Sequence, residues 1–499
     1  MSTPAVLLGT VSLDRAGALP LHRQLFDSLR QAILAGRLRP GTRLPSTRVM
    51  ASDLSVARNT VMAAFEQLVA EGYLQARVGS GTTVTSIAPD MLLNIAAAPN
   101  ADAAVGPTEL SLSTRGRALA GTVRSHPDPR RRAFQPGLPA FDEFPFSTWS
   151  RLLVRHSRKP APELLGYDQN GGHPGLRNAI SDYLGTARGV ICSPDQVIVV
   201  GGAQSGLDLV TRMLLDPGDT AWMEEPGYPG ARAALLGAGA RLHPVPVDDD
   251  GLDVSAGERA APRARLAYVT PSYQFPLGTT MSLERRLRLL EWAQRANSWI
   301  IEDDYDSEYR YRGRPLSALQ GLDTAERVIY VGTFSKTMFP ALRLAYLVVP
   351  RGLISVFRRA LRHTGHDAPL TVQAAAADFI AEGHYASHLR RMRALYADRL
   401  MRFSTLLNEQ LGHVLELGPV NAGMQLAVYL PQSVDDRDLA RRAEEAGISL
   451  SALSSYYLRE CPQPGLLLGY AGVPEAEMRA GVEVLRQLLP AEEARRVAF

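Results

Sequence analysis

Lysine is nearly absent from this sequence. Of its 54 basic residues only Lys159 and Lys336 are lysine. Arginine replaces lysine as a surface charge at little cost, but it cannot stand in where a neutral primary amine must attack a carbonyl. Lys336 closes Gly332-Thr-Phe-Ser-Lys336, directly after the apolar run Val328-Ile-Tyr-Val331, and Arg343 follows seven residues on. A lysine just past a buried strand, desolvated enough for its pKa to fall, can form an internal aldimine with an aldehyde cofactor. Arg343 and the hydroxyls of Thr333 and Ser335 can hold a phosphate. A surface lysine beside a loop is the plainer reading, and the low lysine count weighs against it.

Asp303 lies 33 residues before Lys336, in Ile300-Ile-Glu-Asp-Asp-Tyr305. An aspartate ending a buried strand suits pyridoxal 5'-phosphate, because it keeps the pyridine nitrogen protonated and the ring an electron sink. Tyr305 can then meet the ring hydroxyl. An ordinary acidic strand end is the competing reading. A third element, Val199-Val-Gly-Gly-Ala-Gln-Ser205, runs from strand through glycines into a helix. The free N–H groups of such a helix start, at Ala203 and Gln204, bind phosphate. Glu225-Pro-Gly-Tyr-Pro229 offers Tyr228 as a ring to stack on a cofactor. The two cysteines, Cys192 and Cys461, are too few for a disulfide framework or a four-thiolate zinc site, so no metal is expected.

These residues need a scaffold. Val197–Val200, Ala267–Val269, Trp299–Ile301 and Val328–Val331 are short apolar runs of buried-strand type, with helical stretches between them. That pattern predicts an α/β body with a largely parallel sheet. The first 86 residues read differently. Leu21, Leu25, Leu29, Ile33 and Leu34 recur at helical spacing, and Pro40-Gly41 ends that helix. A second helix starts at Pro45-Ser46 and runs to about Leu54. Ser55 can cap a third, with Val61, Phe65, Leu68 and Val69 on its inner face. Two strand-like runs follow, Tyr73 to Arg77 and Thr82 to Thr85. Three helices and a ribbon make a winged helix-turn-helix.

Nine arginines, no lysine and five acidic residues give residues 1–86 a formal charge of +4, while the whole chain carries only +3. A basic end on a neutral body suits an anionic partner. Arg58, Asn59 and Thr60 open the third helix, where base edges and phosphates are read. Arg43 and Arg48 flank the second helix, and Gly79 and Gly81 let the wing backbone approach a groove. A solvated basic face is the bland alternative. Residues 87–130 hold five prolines and little periodicity, and read as a linker or as an arm packed on the larger domain. The boundaries are therefore 13–86, 87–130 and 131–499.

The chain has 499 residues, 45% hydrophobic and 21% charged, which suits two to four ordinary globular domains. No apolar run approaches a membrane span, and no secretory signal opens the chain, so a cytoplasmic protein is expected.

Leu38-Arg-Pro-Gly-Thr-Arg-Leu-Pro-Ser-Thr-Arg48, Val56-Ala-Arg-Asn-Thr-Val61, Glu71-Gly-Tyr-Leu74 and Gly79-Ser-Gly-Thr82 closely resemble the GntR-type winged helix. The resemblance implies DNA contacts at Arg48, Arg58, Asn59, Thr60 and the wing glycines. A family-typical serine before the recognition arginine is Ala57 here. Gly166-Tyr-Asp168, Gly171-Gly-His-Pro-Gly-Leu-Arg177 and Thr270-Pro-Ser-Tyr-Gln-Phe-Pro-Leu-Gly278, together with the motifs above, resemble fold-type I aminotransferases over about residues 131–490. That resemblance implies an aldimine on Lys336, Asp303 on the ring nitrogen, Tyr305 on the ring hydroxyl, Tyr228 stacked, and Arg343 with Thr333 on the phosphate.

A GntR-type winged helix fused to an aminotransferase-like body resembles the MocR family of regulators responsive to pyridoxal phosphate, and the run at 302–308 is characteristic of it. The resemblance implies double-stranded operator DNA as partner and a domain-swapped homodimer. It also implies an effector that is an amine, an amino acid or pyridoxal phosphate itself. Two departures stand out. Ser272-Tyr273-Gln274 replaces Ser-His-Gln, and Ser454-Ser-Tyr-Tyr457 lacks the arginine of a Ser-Arg-Tyr-Tyr phrase that binds carboxylates. Arg232 is the candidate substitute. A working aminotransferase carrying a DNA-binding module is the second reading, and a protein-binding winged helix the third.

Overall fold

The computed structural model describes residues 13–15, 19–77, 81–85, 112–122, 132–167, 170–311 and 317–489, so Gly79 and Asp168 lie outside the described residues. The chain divides into two compact units, residues 1–110 and 111–499.

The first unit is a winged helix. Helices α1 (Leu21–Leu34), α2 (Thr47–Asp53) and α3 (Arg58–Ala70) pack beside a hairpin of β1 (Leu74–Arg77) and β2 (Gly81–Val84). Leu25, Phe26, Leu29 and Ile33 of α1 meet Val61, Phe65 and Leu68 of α3 in one buried cluster with Leu44, Met50, Tyr73 and Val84. Each such side chain contributes about 1.5–3 kcal/mol by leaving water. Three details differ from the sequence reading. Helix α1 stops at Leu34, before the left-handed Gly36, well short of Pro40-Gly41. Leu34 and Val69 are exposed, because they fall at the edge of their helices' apolar stripes. Ser55 does not cap α3: it sits in the preceding turn at φ +51°, and Ala57 takes the N-cap position without a side-chain bond.

The second unit is built on an eight-stranded sheet in the order β3-β10-β9-β8-β7-β4-β5-β6. The strands are β3 (Val197–Val200), β4 (Thr220–Glu225), β5 (Arg241–Asp248), β6 (Gly251–Leu252), β7 (Leu266–Val269), β8 (Trp299–Asp304), β9 (Val328–Thr333) and β10 (Ala345–Val348). The pairs from β5 through β4, β7 and β8 to β9 are parallel. β10 is antiparallel to both its neighbours, and β6 is antiparallel at one edge. Both faces are covered, which is why the central strands read as unbroken apolar runs. Ile198, Tyr268, Ile301, Ile329 and Leu347 face one core, and Val199, Tyr330 and Tyr346 face another.

The helices that cover or flank this sheet are, in chain order, α4 (Thr114–Ala120), α5 (Phe146–Arg158), α6 (Pro174–Arg188), α7 (Ala203–Leu214), α8 (Pro229–Gly237), α9 (Val254–Ala260), α10 (Leu283–Ala296), α11 (Ile354–Thr364), α12 (Leu370–Ala381) and the long α13 (His384–Leu411). Helix α4 falls inside residues 87–130. It is capped by Ser113 and packs on α8, so residues 114–120 belong to the larger unit. A second, antiparallel sheet follows in the order β11-β12-β14-β13, with β11 (Glu416–Leu417), β12 (Gln425–Tyr429), β13 (Ser451–Ala452) and β14 (Gly465–Gly469). Helices α14 (Asp436–Glu445) and α15 (Glu475–Leu488) complete the chain's described part. Among the described residues, no helix is long and apolar enough to cross a membrane.

Candidate functional site

The reversed direction of β10 gathers the site. Its start, Ala345, pairs with both Val200 at the end of β3 and Thr333 at the end of β9. The loops after β3, β8 and β9 and the loop before β10 therefore open at one edge of the sheet, where ligands bind in open α/β folds. That edge holds Gly202-Ala203-Gln204, Asp303 to Tyr305, Thr333 to Lys336, and Arg343.

Lys336 is partly buried, and its Nζ donates to the Gly137 carbonyl at 2.7 Å. Burial pushes its pKa below the ordinary lysine value, opposed by the attraction of Asp306 and Asp303. Gly137 has φ +73°, a left-handed conformation that favours glycine, and a Cβ there would stand 2.5 Å from Nζ. Lys159, by contrast, is exposed at the end of α5.

Strand periodicity sends Asp303 and Asp304 to opposite faces. Asp304 is tied down by Arg188 at 2.8 Å and by the Tyr330 hydroxyl at 2.6 Å. Among the described residues Asp303 accepts one bond, from the Tyr268 hydroxyl at 2.7 Å, and its Oδ1 is buried without a partner. Burial pushes Asp303 up to about 6, while the Tyr268 bond opposes the rise. The Tyr305 hydroxyl is likewise buried with no partner. Asp304 Oδ1 and both Asp306 carboxylate oxygens beside them are unpaired as well among the described residues, and since each buried polar atom left unpaired costs about 1–3 kcal/mol, the cluster marks a place built to receive something.

Around this pair the remaining candidates take their positions. Tyr228 is the N-cap of α8, its ring edge-on to Phe275 at 5.5 Å. Gln204 in the first turn of α7 donates to the Gly230 carbonyl at 2.9 Å, tying the starts of α7 and α8 together. Ala203 is the first residue of α7, whose opening N–H groups have no intrahelical acceptor. The Thr333 hydroxyl donates to Ser335 Oγ at 3.0 Å and accepts from the Ser335 N–H at 3.1 Å. Arg343 is exposed in the left-handed region at φ +51°, and its guanidinium lies against Gly202, where a Cβ would be 3.5 Å from Cζ. An arginine, two hydroxyls and a helix start thus face the same strand ends.

Three neighbours were not legible as candidates. Tyr268, Gly137 and Gln425 reach the site from β7, from the segment before α5 and from β12. Arg232 lies one turn beyond Tyr228, with Nη2 donating to the Tyr456 carbonyl at 2.8 Å and Nε buried without a partner. Ser455 donates its hydroxyl to the Ala452 carbonyl at 2.6 Å. Among the described residues no cluster of His, Cys, Asp and Glu is arranged to hold a metal ion.

In the winged helix, Arg43, Arg48, Arg58 and Asn59 are exposed and Thr60 is partly so. Arg58 Nε donates to Thr47 Oγ1 at 3.4 Å, linking the start of α3 to the start of α2. None of the three arginines has a carboxylate partner among the described residues, which leaves their charge available for phosphate. Gly81 has φ +82°, and a Cβ there would meet Arg43 Nε at 2.9 Å. Its close neighbour is therefore an arginine that Gly81 allows to lie along the wing.

Residues 21–84 match the gntR family of bacterial regulatory proteins, and residues 148–485 match the class I and II aminotransferases. The "Probable rhizopine catabolism regulatory protein MocR" of Rhizobium meliloti is 50% identical over 482 residues, 97% of this chain and 96% of the relative. This chain belongs to the MocR family. Another relative, the "HTH-type pyridoxine biosynthesis transcriptional regulator PdxR" of Corynebacterium glutamicum, is 32% identical over 94% of this chain and 96% of its own length. Among solved structures, the kynurenine aminotransferase of Pyrococcus horikoshii, described in complex with PMP, matches with TM-score 0.66 and 28% identity over 72% of this chain and 91% of that one. A MocR-family chain thus joins a GntR-type helix-turn-helix to a fold-type I aminotransferase fold and is a transcriptional regulator by kinship.

The residues present fit pyridoxal 5'-phosphate. Its ring nitrogen and ring hydroxyl are the two groups that the unpaired Asp303 Oδ1 and Tyr305 hydroxyl call for. Its phosphate suits the helix start beside Arg343, and its aldehyde suits the partly buried amine of Lys336.

Proposed function

We propose that this chain is a cytoplasmic regulator that binds operator DNA through its winged helix and holds pyridoxal 5'-phosphate covalently at Lys336, answering to an amine, an amino acid or the cofactor itself. The observation that carries the reading is the pair of unpaired buried atoms, Asp303 Oδ1 and the Tyr305 hydroxyl, in a chain that also bears a GntR-type domain. The cofactor, once bound, supplies an electrophilic carbon for primary amines.

The chain's own residues prepare the site. Burial lowers the pKa of Lys336 and so enlarges its neutral, nucleophilic fraction. Asp303, steadied by Tyr268, offers a carboxylate to the ring nitrogen. Tyr305 donates to the ring hydroxyl, Tyr228 covers the ring, and Arg343, Thr333, Ser335 and the first N–H groups of α7 bind the phosphate. Arg43, Arg48, Arg58, Asn59, Thr60 and the wing glycines Gly79 and Gly81 take the DNA. In this reading the assembly is a domain-swapped homodimer. A ligand that binds one arrangement of the body more tightly shifts the population toward it and changes how two winged helices engage paired half-sites.

The test is a mobility-shift series on the chain's own promoter fragment at several salt concentrations, with and without pyridoxal phosphate. Affinity should fall steeply with salt, and Arg58→Ala should weaken binding by about 1–3 kcal/mol and flatten the salt slope by roughly one charge per winged helix. Binding unaffected by both salt and cofactor would contradict the proposal. The second reading, an aminotransferase with a DNA-binding module, is favoured by the complete Lys336, Asp303 and Tyr305 set. Turnover of an amino donor and a keto acid at ordinary enzyme rates would support it.

A further inference from the structure

The side of the site opposite the sheet edge is formed by the small antiparallel sheet. Strands β12, β13 and β14 carry no charged residue. Their register puts Gln425, Ala427 and Tyr429 on one face with Leu467 and Ser451. Ala427 and Leu467 pack there with Leu453, Tyr456 and Phe275. Phe275 joins this face to the cofactor residues, 5.1 Å from the Tyr456 ring, 6.0 Å from Tyr305 and 5.5 Å from Tyr228.

Gln425 stands where this face meets the amine. It is 3% exposed, and its Nε2 is buried without a partner among the described residues. A Cβ built on Gly137 would lie 2.5 Å from Lys336 Nζ and 3.8 Å from Gln425 Oε1, so both side chains border one point. The Gln425 carbonyl accepts from the Tyr273 hydroxyl at 2.9 Å, which anchors the residue to the loop around the site. Arg232 reaches this face through Tyr456, and its Nε is buried without a partner among the described residues. Nη2 is bound to the Tyr456 carbonyl, and the Glu225 carboxylate attracts the guanidinium. An incoming carboxylate would meet Glu225 as a like charge, and Ser455 offers no cation.

We propose that the effector is a primary amine without a carboxylate, and that the Gln425 side-chain amide recognises its second polar group, an uncharged hydroxyl, ether or amide oxygen. This rests on the reading of the site as an amine sensor. A neutral amide pairs with such an oxygen without the desolvation cost a buried carboxylate imposes, and the apolar face beyond it accepts carbon.

The full-length protein, loaded with pyridoxal phosphate, is titrated with 2-amino-1,3-propanediol, with serine and with methylamine. The first two differ by one hydroxymethyl group against one carboxylate. Half-saturation is read from the cofactor's absorbance band and, independently, from the rise in melting temperature. The aminodiol should half-saturate at about tenfold lower concentration than serine. Gln425→Leu should shrink that preference at least about fivefold, and Gln425→Arg should reverse it. Serine binding as well as or better than the aminodiol overturns the proposal and leaves the sensor reading standing, as does an unchanged preference in both variants. No response to any of the three amines overturns the sensor reading and the proposal with it.

Discussion

Tyr268→Phe removes one oxygen from a fully enclosed ring and keeps its shape. The lost group is the hydroxyl that donates to Asp303 Oδ2 at 2.7 Å, the one bond this carboxylate makes among the described residues. A hydrogen bond to a charged acceptor is worth about 1.5–3 kcal/mol, roughly one to two powers of ten in an equilibrium constant. Asp303 already stands at about 6 because of burial, with the Tyr268 bond restraining the rise. Without that bond it moves higher. The sign follows. A protonated pyridine nitrogen is held by an ionised Asp303, so cofactor affinity falls as pH drops through about 6, and in Tyr268→Phe the fall begins at a higher pH. Lys336 and the cofactor phosphate titrate in both proteins, so the difference between the two profiles isolates Asp303. The assay is an absorbance titration of apoprotein with pyridoxal phosphate between pH 5 and 8. The account predicts about a tenfold or greater loss near pH 6 and a displaced midpoint. Equal affinities across the range, in a variant with unchanged melting temperature, would refute the role given to Asp303.

Ala57→Ser should supply α3 with the side-chain cap it lacks and raise the stability of the winged helix by about 1 kcal/mol, measured by thermal unfolding of the full chain. Gly137→Ala should weaken the cofactor's visible band while retaining DNA binding, because alanine is strained at φ +73° and its Cβ would displace the Lys336 amine from the Gly137 carbonyl. A normal band in that variant would show that the contact is dispensable. Glu224 and Glu302 are buried carboxylates, both pushed up to about 7 by burial. Folded chains hold protons on them that unfolded chains release, so their contribution to stability shrinks as pH rises from about 4.5 through 7. The melting temperature should be a few degrees higher at pH 6 than at pH 8, and the opposite order would contradict that assignment.

The residues that chemistry singles out by type were readable in order along the chain. Lys336 stands out among arginines, and Asp303 and Tyr305 sit two residues apart at a strand end. The four apolar runs proved to be β7, β8 and β9 in the middle of the sheet and β3 at its edge, all buried on both faces, which strips them of polar alternation. Strand β5 escaped notice since it carries Pro244 and Pro246 and is partly exposed, and β4 since it ends in two glutamates. Nothing local in Ala345-Tyr-Leu-Val348 tells that it runs against its neighbours, yet that reversal assembles the site. Tyr268, Gly137 and Gln425 act through space alone. Gly137 is 199 residues from the lysine whose amine it receives. Ser55 had the right chemistry for a cap but lies at φ +51°, where its side chain cannot serve α3, two residues too early.

Borohydride trapping followed by peptide mass analysis tests the central claim most directly. The purified full-length protein, incubated with pyridoxal 5'-phosphate and reduced, should yield a phosphopyridoxyl group on the peptide containing Lys336, and Lys336→Ala should yield none. Modification confined to Lys159 or to the amino terminus, or no modification at all, would contradict the account.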